Sequence, residues 1–238
     1  ASGVSVNAGS GTILVDGDNG AIQLNDSTLT TTNATATAVR IIDGTTAALG
    51  NITAASGTVV LGETGADNLS GNVTQNASTA ISANTVTVDS GGAVTLDSAT
   101  NTLTNLGTVT RGGALTVVDS AGGLTLTGSA TTGTTTNAVS ISTATGALAL
   151  GAQSITGNQV SLTGVGVTQS AGSTVDAGAG TILVDGTAGA INLAGTLTTT
   201  NATGSAITIR DATTVALGNT TAASGTVKRK IVPPPGFF

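Results

Sequence analysis

Aliphatic residues along this chain fall in pairs two positions apart. Val4 and Val6 open the series, followed by Ile13 and Val15, Ile22 and Leu24, Val39 and Ile41, Val86 and Val88, and Val94 and Leu96. It continues through Leu115 and Val117, Leu124 and Leu126, Val139 and Ile141, Leu148 and Leu150, and Val160 and Leu162, and closes with Ile182 and Val184, Ile191 and Leu193, Ile207 and Ile209, and Val215 and Leu217. Gly, Asn, Asp and Ser fill the intervals. Period two marks a strand with one buried face, and the interval residues are turn formers. The pairs recur about every nine residues, so each strand is short, and no stretch carries the helical period. The pattern predicts an all-β chain.

The chain also repeats itself at long range. Residues 11–59 return as residues 180–227, with 35 of 48 aligned positions identical across one gap. Ile13 matches Ile182 at an offset of 169, whereas Leu29 matches Leu197 at 168. The lost residue falls where one copy has Asn25-Asp26-Ser27 and the other Ala194-Gly195. That composition is a turn. A deletion inside a strand would turn every later side chain to the opposite face, so the strands on both sides keep their inward phase only because the gap lies between them.

Composition narrows the architecture. Of 238 residues, none is Cys, Met, Trp, Tyr or His, and two are Phe. Sandwiches and barrels bridge sheets about 10 Å apart with large side chains, which this chain lacks. A solenoid has a thin core that stacked Val, Ile and Leu can fill. We therefore expect one domain, a parallel β-solenoid over residues 1–227, with coils of roughly 18–24 residues and roughly ten to twelve coils in all. The long offset should span about seven to nine coils, and a rung spacing of about 4.8 Å would make the stack roughly 50–60 Å long.

Phrases such as GTILVDG, GAINLAGTLTTTNATGSAITI and VALGNTTAASGTV resemble the repeats of large secreted bacterial adhesins of the filamentous-haemagglutinin and autotransporter-passenger type. The resemblance covers residues 1 to about 227 and rests on repeat style. It implies a right-handed parallel β-helix outside the cell or on its surface, with a structural or adhesive role. The opening, ASGVSVN, suits a mature N-terminus left after removal of an export signal, or an excised fragment.

Charge and residue inventory exclude several chemistries. The formal net charge is −6 with six Lys and Arg, too few for a nucleic-acid surface. No apolar run reaches the roughly 20 residues of a membrane span. Without His or Cys there is no Ser-His-Asp triad, thiolate nucleophile or imidazole metal ligand. We expect no enzyme, no catalytic or metal-binding residue and no cofactor. Most Asp residues precede Gly or Ser, as at Asp16, Asp43, Asp89, Asp119 and Asp185, which is turn chemistry. Three sharper alternatives stand beside it. Asp16 and Asp18 form the one close carboxylate pair, as a polysaccharide-cleaving β-helix would need, but Thr187 replaces Asp18 in the second copy. Gly91-Gly92 and Gly122-Gly123 lack the Asp spacing of calcium-binding nonapeptides. Threonine runs at 28–37, 131–136 and 196–201 could form an ice-binding face, though Thr is also simply a good strand former. Asn-x-Ser/Thr sequons at Asn25, Asn33, Asn51, Asn68, Asn72, Asn76, Asn201 and Asn219 are expected by chance in so Asn- and Thr-rich a chain.

The last eleven residues, KRKIVPPPGFF, break the composition, holding all three Pro, both Phe and three of the six basic residues. We expect residues 228–238 to be a docking tail outside the solenoid. The first coil reads like an interior one, with Val6 matching Val175, so both ends suit head-to-tail stacking into a homopolymer. In that expectation Lys228, Arg229 and Lys230 meet the acidic surface of the next copy, Pro233, Pro234 and Pro235 hold the tail extended, and Phe237 and Phe238 anchor it. The expected function is a self-assembling extracellular structural protein. The alternative is an adhesin fragment that binds a surface glycan.

Overall fold

In a computed structural model, which describes residues 3–120, 122–132 and 135–231, the chain is all-β and forms a parallel β-solenoid of about ten turns. Its contacts fall into two compact units, Ala1–Ala121 and Gly122–Phe238, a division that the sequence pattern does not announce.

The first unit holds β1 (Ser5–Asn7), β2 (Ile13–Gln23), β3 (Thr28–Thr30), β4 (Val39–Leu49), β5 (Asn51–Leu61), β6 (Val73–Gln75), β7 (Ile81–Ser90), β8 (Val94–Leu96), β9 (Thr102–Arg111) and β10 (Leu115–Asp119). Three parallel ladders run through it. One stacks Val6, Leu29, Ile52 and Ile81, and continues with Leu103 beside Ala83. The next stacks Ile13, Val39, Val59, Val86 and Leu106. The third stacks Ile22, Ala47, Val73, Val94 and Leu115. The chain visits the three in turn, so each coil is three short strands around one aliphatic core.

The second unit holds β11 (Leu124–Leu126), β12 (Ala130–Thr132), β13 (Val139–Thr143), β14 (Leu148–Ala149), β15 (Ile155–Thr156), β16 (Val160–Thr163), β17 (Val167–Gln169), β18 (Thr174–Asp176), β19 (Ile182–Thr199), β20 (Ile207–Ala222) and β21 (Val227–Ile231). It repeats the plan. Its ladders stack Ala130, Ile155, Val175, Leu197 and Thr220, then Val139, Val160, Ile182, Ile207 and Val227, then Leu124, Leu148, Val167, Ile191 and Val215. The two sequence copies hold the same register: Ile13 pairs with Val39 as Ile182 pairs with Ile207, and Val39 with Val59 as Ile207 with Val227. The gap between the copies falls where Leu24–Ser27 form a turn in the first copy, while β19 runs through the same corner with a register shift between Leu193 and Thr196.

Coil length varies more than expected. Register partners are 19 residues apart at Leu148 and Val167 but 29 apart at Ile52 and Ile81. The surplus sits in corners, such as the segment from Gly62 to Asn72 between β5 and β6, where added residues leave the ladder phase untouched. Interior aliphatic pairs are buried as the pattern requires; Ile41, Leu96, Val117, Ile141 and Ile209 are at most 1% exposed. The outermost pairs depart from that expectation. Val4 and Val6 are 52% and 38% exposed, and Val215 and Leu217 are half-buried. Among the described residues β1 pairs with β3 alone, and Val215 has its partner on β19 alone, so these side chains are covered from one side. The solenoid also runs past residue 227, because Lys228–Ile231 continue β21 along β20. A backbone ladder requires N–H and C=O groups, not apolar side chains, so the change in composition does not end the strand.

Two polar side chains inside the stack, Asn101 and Gln75, are matched to one another. Asn101 is fully buried: its Oδ1 accepts from Gln75 Nε2 at 2.7 Å and from Ile81 N at 2.8 Å, while its Nδ2 donates to Gln75 Oε1, Leu96 O and Val118 O. Truncating Asn101 strands several of these groups at once, and each buried unsatisfied group costs about 1–3 kcal/mol. Asn101→Ala is expected to lower the unfolding free energy by about 3 kcal/mol, seen as a lower urea midpoint by circular dichroism.

The corner between the second and third ladders needs left-handed backbone. Asp18 and Asn19 take φ of 44° and 60° in the first copy, and Thr187 and Ala188 take 43° and 64° at the matching place. Asn and Asp tolerate that region, whereas a β-branched Thr is strained there. Installing the first copy's residues, Thr187→Asp with Ala188→Asn, is expected to stabilise the protein by about 1 kcal/mol. An unchanged or lower thermal midpoint would show that the corner stores no strain.

Candidate functional site

Asp16, Asp43 and Asp185 sit at coil corners, whereas Asp119, read from the sequence as a turn residue, is fully buried at the end of β10, where its Oδ1 accepts from Leu103 N at 2.9 Å and so caps the amide of another strand. Asp16 Oδ1 accepts a hydrogen bond from Asp18 N at 3.0 Å, and Asp185 Oδ1 accepts from Thr187 N at 3.0 Å in the second copy. Asp176 Oδ1 accepts from Gly178 N at 2.8 Å. These are Asx-turn bonds, in which the side chain replaces a backbone acceptor. Asp43 and Asp211 occupy equivalent left-handed corner positions, with φ of 51° and 52°. Among the described residues no group of three or more His, Cys, Asp or Glu could hold a metal ion. Gly122 and Gly123 serve positive-φ turns, with φ of 84° and 86°.

The threonine runs at 28–37 and 196–201 supply coil-to-coil clamps. In the first copy Leu29 points inward between Thr28 and Thr30, and the next residues turn back on the preceding coil. Thr31, 2% exposed, donates through Oγ1 to Gly9 O and Gly11 O; Thr32 Oγ1 donates to Gly9 O at 2.9 Å, and Asn33 Nδ2 to Ser10 O at 2.9 Å. The second copy repeats every bond. Thr199 Oγ1 reaches Gly178 O and Gly180 O, Thr200 Oγ1 reaches Gly178 O at 3.0 Å, and Asn201 Nδ2 reaches Ala179 O at 3.0 Å. Outward positions do not carry Thr-x-Thr in each coil: Thr28 stands beside Asn51, and Thr53 beside Ser82. The run at 131–136 lies partly outside the described residues. Two sequon asparagines are likewise engaged, Asn51 Oδ1 accepting from Ala80 N and Asn72 Oδ1 from Ala93 N.

One recess was not foreseen. A surface groove of about 270 Å³ in the first unit is lined by Val60, Gly62, Glu63, Thr64, Thr87, Val88, Asp89, Thr108 and Thr110. It lies against the long corner that opens at Gly62. Arg40 fixes that corner, its Nε and Nη2 donating to the two Glu63 oxygens at 2.7 Å each, with Asp67 at 4.0 Å. The hydrogen bond to Glu63 holds the Arg40 guanidinium above its ordinary pKa against the opposing effect of burial. The sequence signal was the surplus length between Leu61 and Val73, which a search for motifs passes over. Arg111 was also missed: it is 2% exposed, its Nη1 donates to Gly113 O, and burial pulls its pKa down to about 10.

Residues of the expected docking tail divide into two groups. Lys228, Arg229 and Lys230 are exposed on β21; Lys228 Nζ lies 3.1 Å from Ser205 Oγ, and Lys230 Nζ 3.9 Å from Asp211. The two lysines are thus engaged with their own chain. Pro233, Pro234, Pro235, Phe237 and Phe238 lie outside the described residues. No helix among the described residues is long and apolar enough to cross a membrane. Comparison with protein-family models, curated proteins and solved structures returns no match to this chain.

The clamp yields a direct expectation. Thr199→Val keeps the volume and removes a hydroxyl that donates to two carbonyls and accepts from Asn201 N at 2.9 Å. It should destabilise by about 1–2 kcal/mol, measured by urea unfolding, without changing the β spectrum.

Proposed function

We propose that this protein is a non-catalytic structural solenoid displayed outside the cell. The supporting observation is the clamp that joins coil to coil through Thr31, Thr32 and Asn33 and again through Thr199, Thr200 and Asn201. What the two copies keep in common is chemistry that holds coils together. The carboxylate pair of the polysaccharidase alternative is spent on a backbone turn and is missing from the second copy. The extracellular location rests on the resemblance to secreted adhesin repeats.

Glycan binding is a second reading, favoured by the groove beside Gly62. Its four threonines and two carboxylates offer hydroxyl-matched hydrogen bonding around a small apolar floor of Val60 and Val88. Both readings meet in one experiment, in which a panel of acidic and neutral polysaccharides is incubated with the purified chain. No cleavage is expected, and cleavage that disappears in Asp16→Asn or Asp18→Asn would overturn the structural reading. Binding without cleavage that is lost in Thr108→Arg, which fills the groove, would establish the adhesive one.

A further inference from the structure

The two sequence copies end at equivalent strands with different fates. Val59 and Val227 are the last matched residues, and the ladder carries the comparison two residues further, since Ile41 pairs with Leu61 as Ile209 pairs with Arg229. In the first copy the strand reads Val59-Val60-Leu61 and is covered by β7, with Val59 over Val86, Val60 over Thr87 and Leu61 over Val88. Leu61 is fully buried and Val60 is 8% exposed. In the second copy the same three positions read Val227-Lys228-Arg229. All of β21 is exposed, and among the described residues it pairs with β20 alone.

We infer that β21 is a stop strand, which prevents a second copy of this chain from stacking a coil on this edge of the second unit. An open parallel edge offers unpaired N–H and C=O groups to any strand of matching twist, and charged residues placed in the inward phase are one way to block it. Arg229 stands in the phase of Ile209, Val184 and Leu162, each fully buried. A coil laid over it would enclose a guanidinium in the aliphatic column of Ile209, Val184 and Leu162, which is costly, whereas the covered Arg111 lies at the end of β9, where Gly113 O accepts from its Nη1. While the edge is open, the side chain keeps its charge in water. Lys228 and Lys230 border it at outward positions, Lys230 with its side chain 79% exposed. The inference concerns the edge and not the length of the polypeptide. It runs against the head-to-tail fibre expected from the sequence, in which this edge would receive the next copy.

The test exchanges the residues of the two copies. Lys228→Val with Arg229→Leu recreates the first copy's strand and should turn the edge into an acceptor. Sedimentation velocity across a concentration series should show self-association at least about a hundredfold tighter than that of the native chain. Lys228→Val with Lys230→Val adds comparable apolar surface at outward positions while keeping Arg229, and should sediment like the native protein. In the reciprocal substitution, Leu61→Arg places the guanidinium beneath β7 and should lower the urea midpoint markedly or abolish folding. The inference is overturned if Lys228→Val/Arg229→Leu sediments unchanged, if the Lys228→Val/Lys230→Val control associates equally, or if Leu61→Arg leaves the midpoint where it was. It is overturned as well if the native chain forms fibres in which a crosslinker at position 229 joins one copy to the next.

Discussion

Parallel backbone pairing fixes each strand in phase with a strand one coil earlier, and that phase decides which side chains reach the core. Because side chains alternate with period two, a slip of one residue would expel every aliphatic residue of a coil and admit its neighbours. Other features follow from holding this phase. Aliphatic residues stack on aliphatic residues down each ladder, as in the column of Ile13, Val39, Val59, Val86 and Leu106. Buried side chains of that size each contribute about 1.5–3 kcal/mol. A core made of narrow repeating columns leaves no irregular space for aromatic or thioether side chains, and the composition reflects this.

The corners carry a different task. They must reverse the chain within a few residues and leave no buried carbonyl or amide without a partner. Asp, Asn, Thr and Gly do this with short side-chain bonds, either to the corner's own backbone, as at Asp16, or to the coil beside it, as at Thr31 and Asn33. Polar composition at the surface of such a protein therefore speaks first of corner geometry. It speaks of ligands only where a corner departs from the economical form, as at the long segment held by Arg40 and Glu63.

How far the sequence reveals this structure depends on which constraint a residue answers to. Strand phase was legible, since Val86 and Val88 or Ile207 and Ile209 have no reason to alternate except burial on one side. The turn role of Asp16 was legible because Asp before Gly has a local hydrogen-bonding reason to be there. Coil length was less so: corner residues answer to local geometry, and nothing in the stretch between Leu61 and Val73 fixes its size. Asn101 looked like any other turn asparagine, and its burial depends on Gln75, 26 residues earlier. Lys228–Lys230 stood out by composition and suggested a tail, although a lysine or arginine can occupy a ladder by its backbone alone. Recognising Arg229 as a core-phase residue required the pairing with Ile209.

The spacing of register partners, 19 to 29 residues throughout, also shapes how such a chain reaches its folded state. Each new rung closes a loop of bounded size against a coil already formed, so the entropy of closure does not grow as the stack lengthens. Solenoids of this kind behave as one-dimensional arrays, in which a nucleus can form at any place and extend by neighbour-to-neighbour addition. Residues 11–59 and 180–227, alike at 35 of 48 positions, place one copy of the same local sequence in each unit.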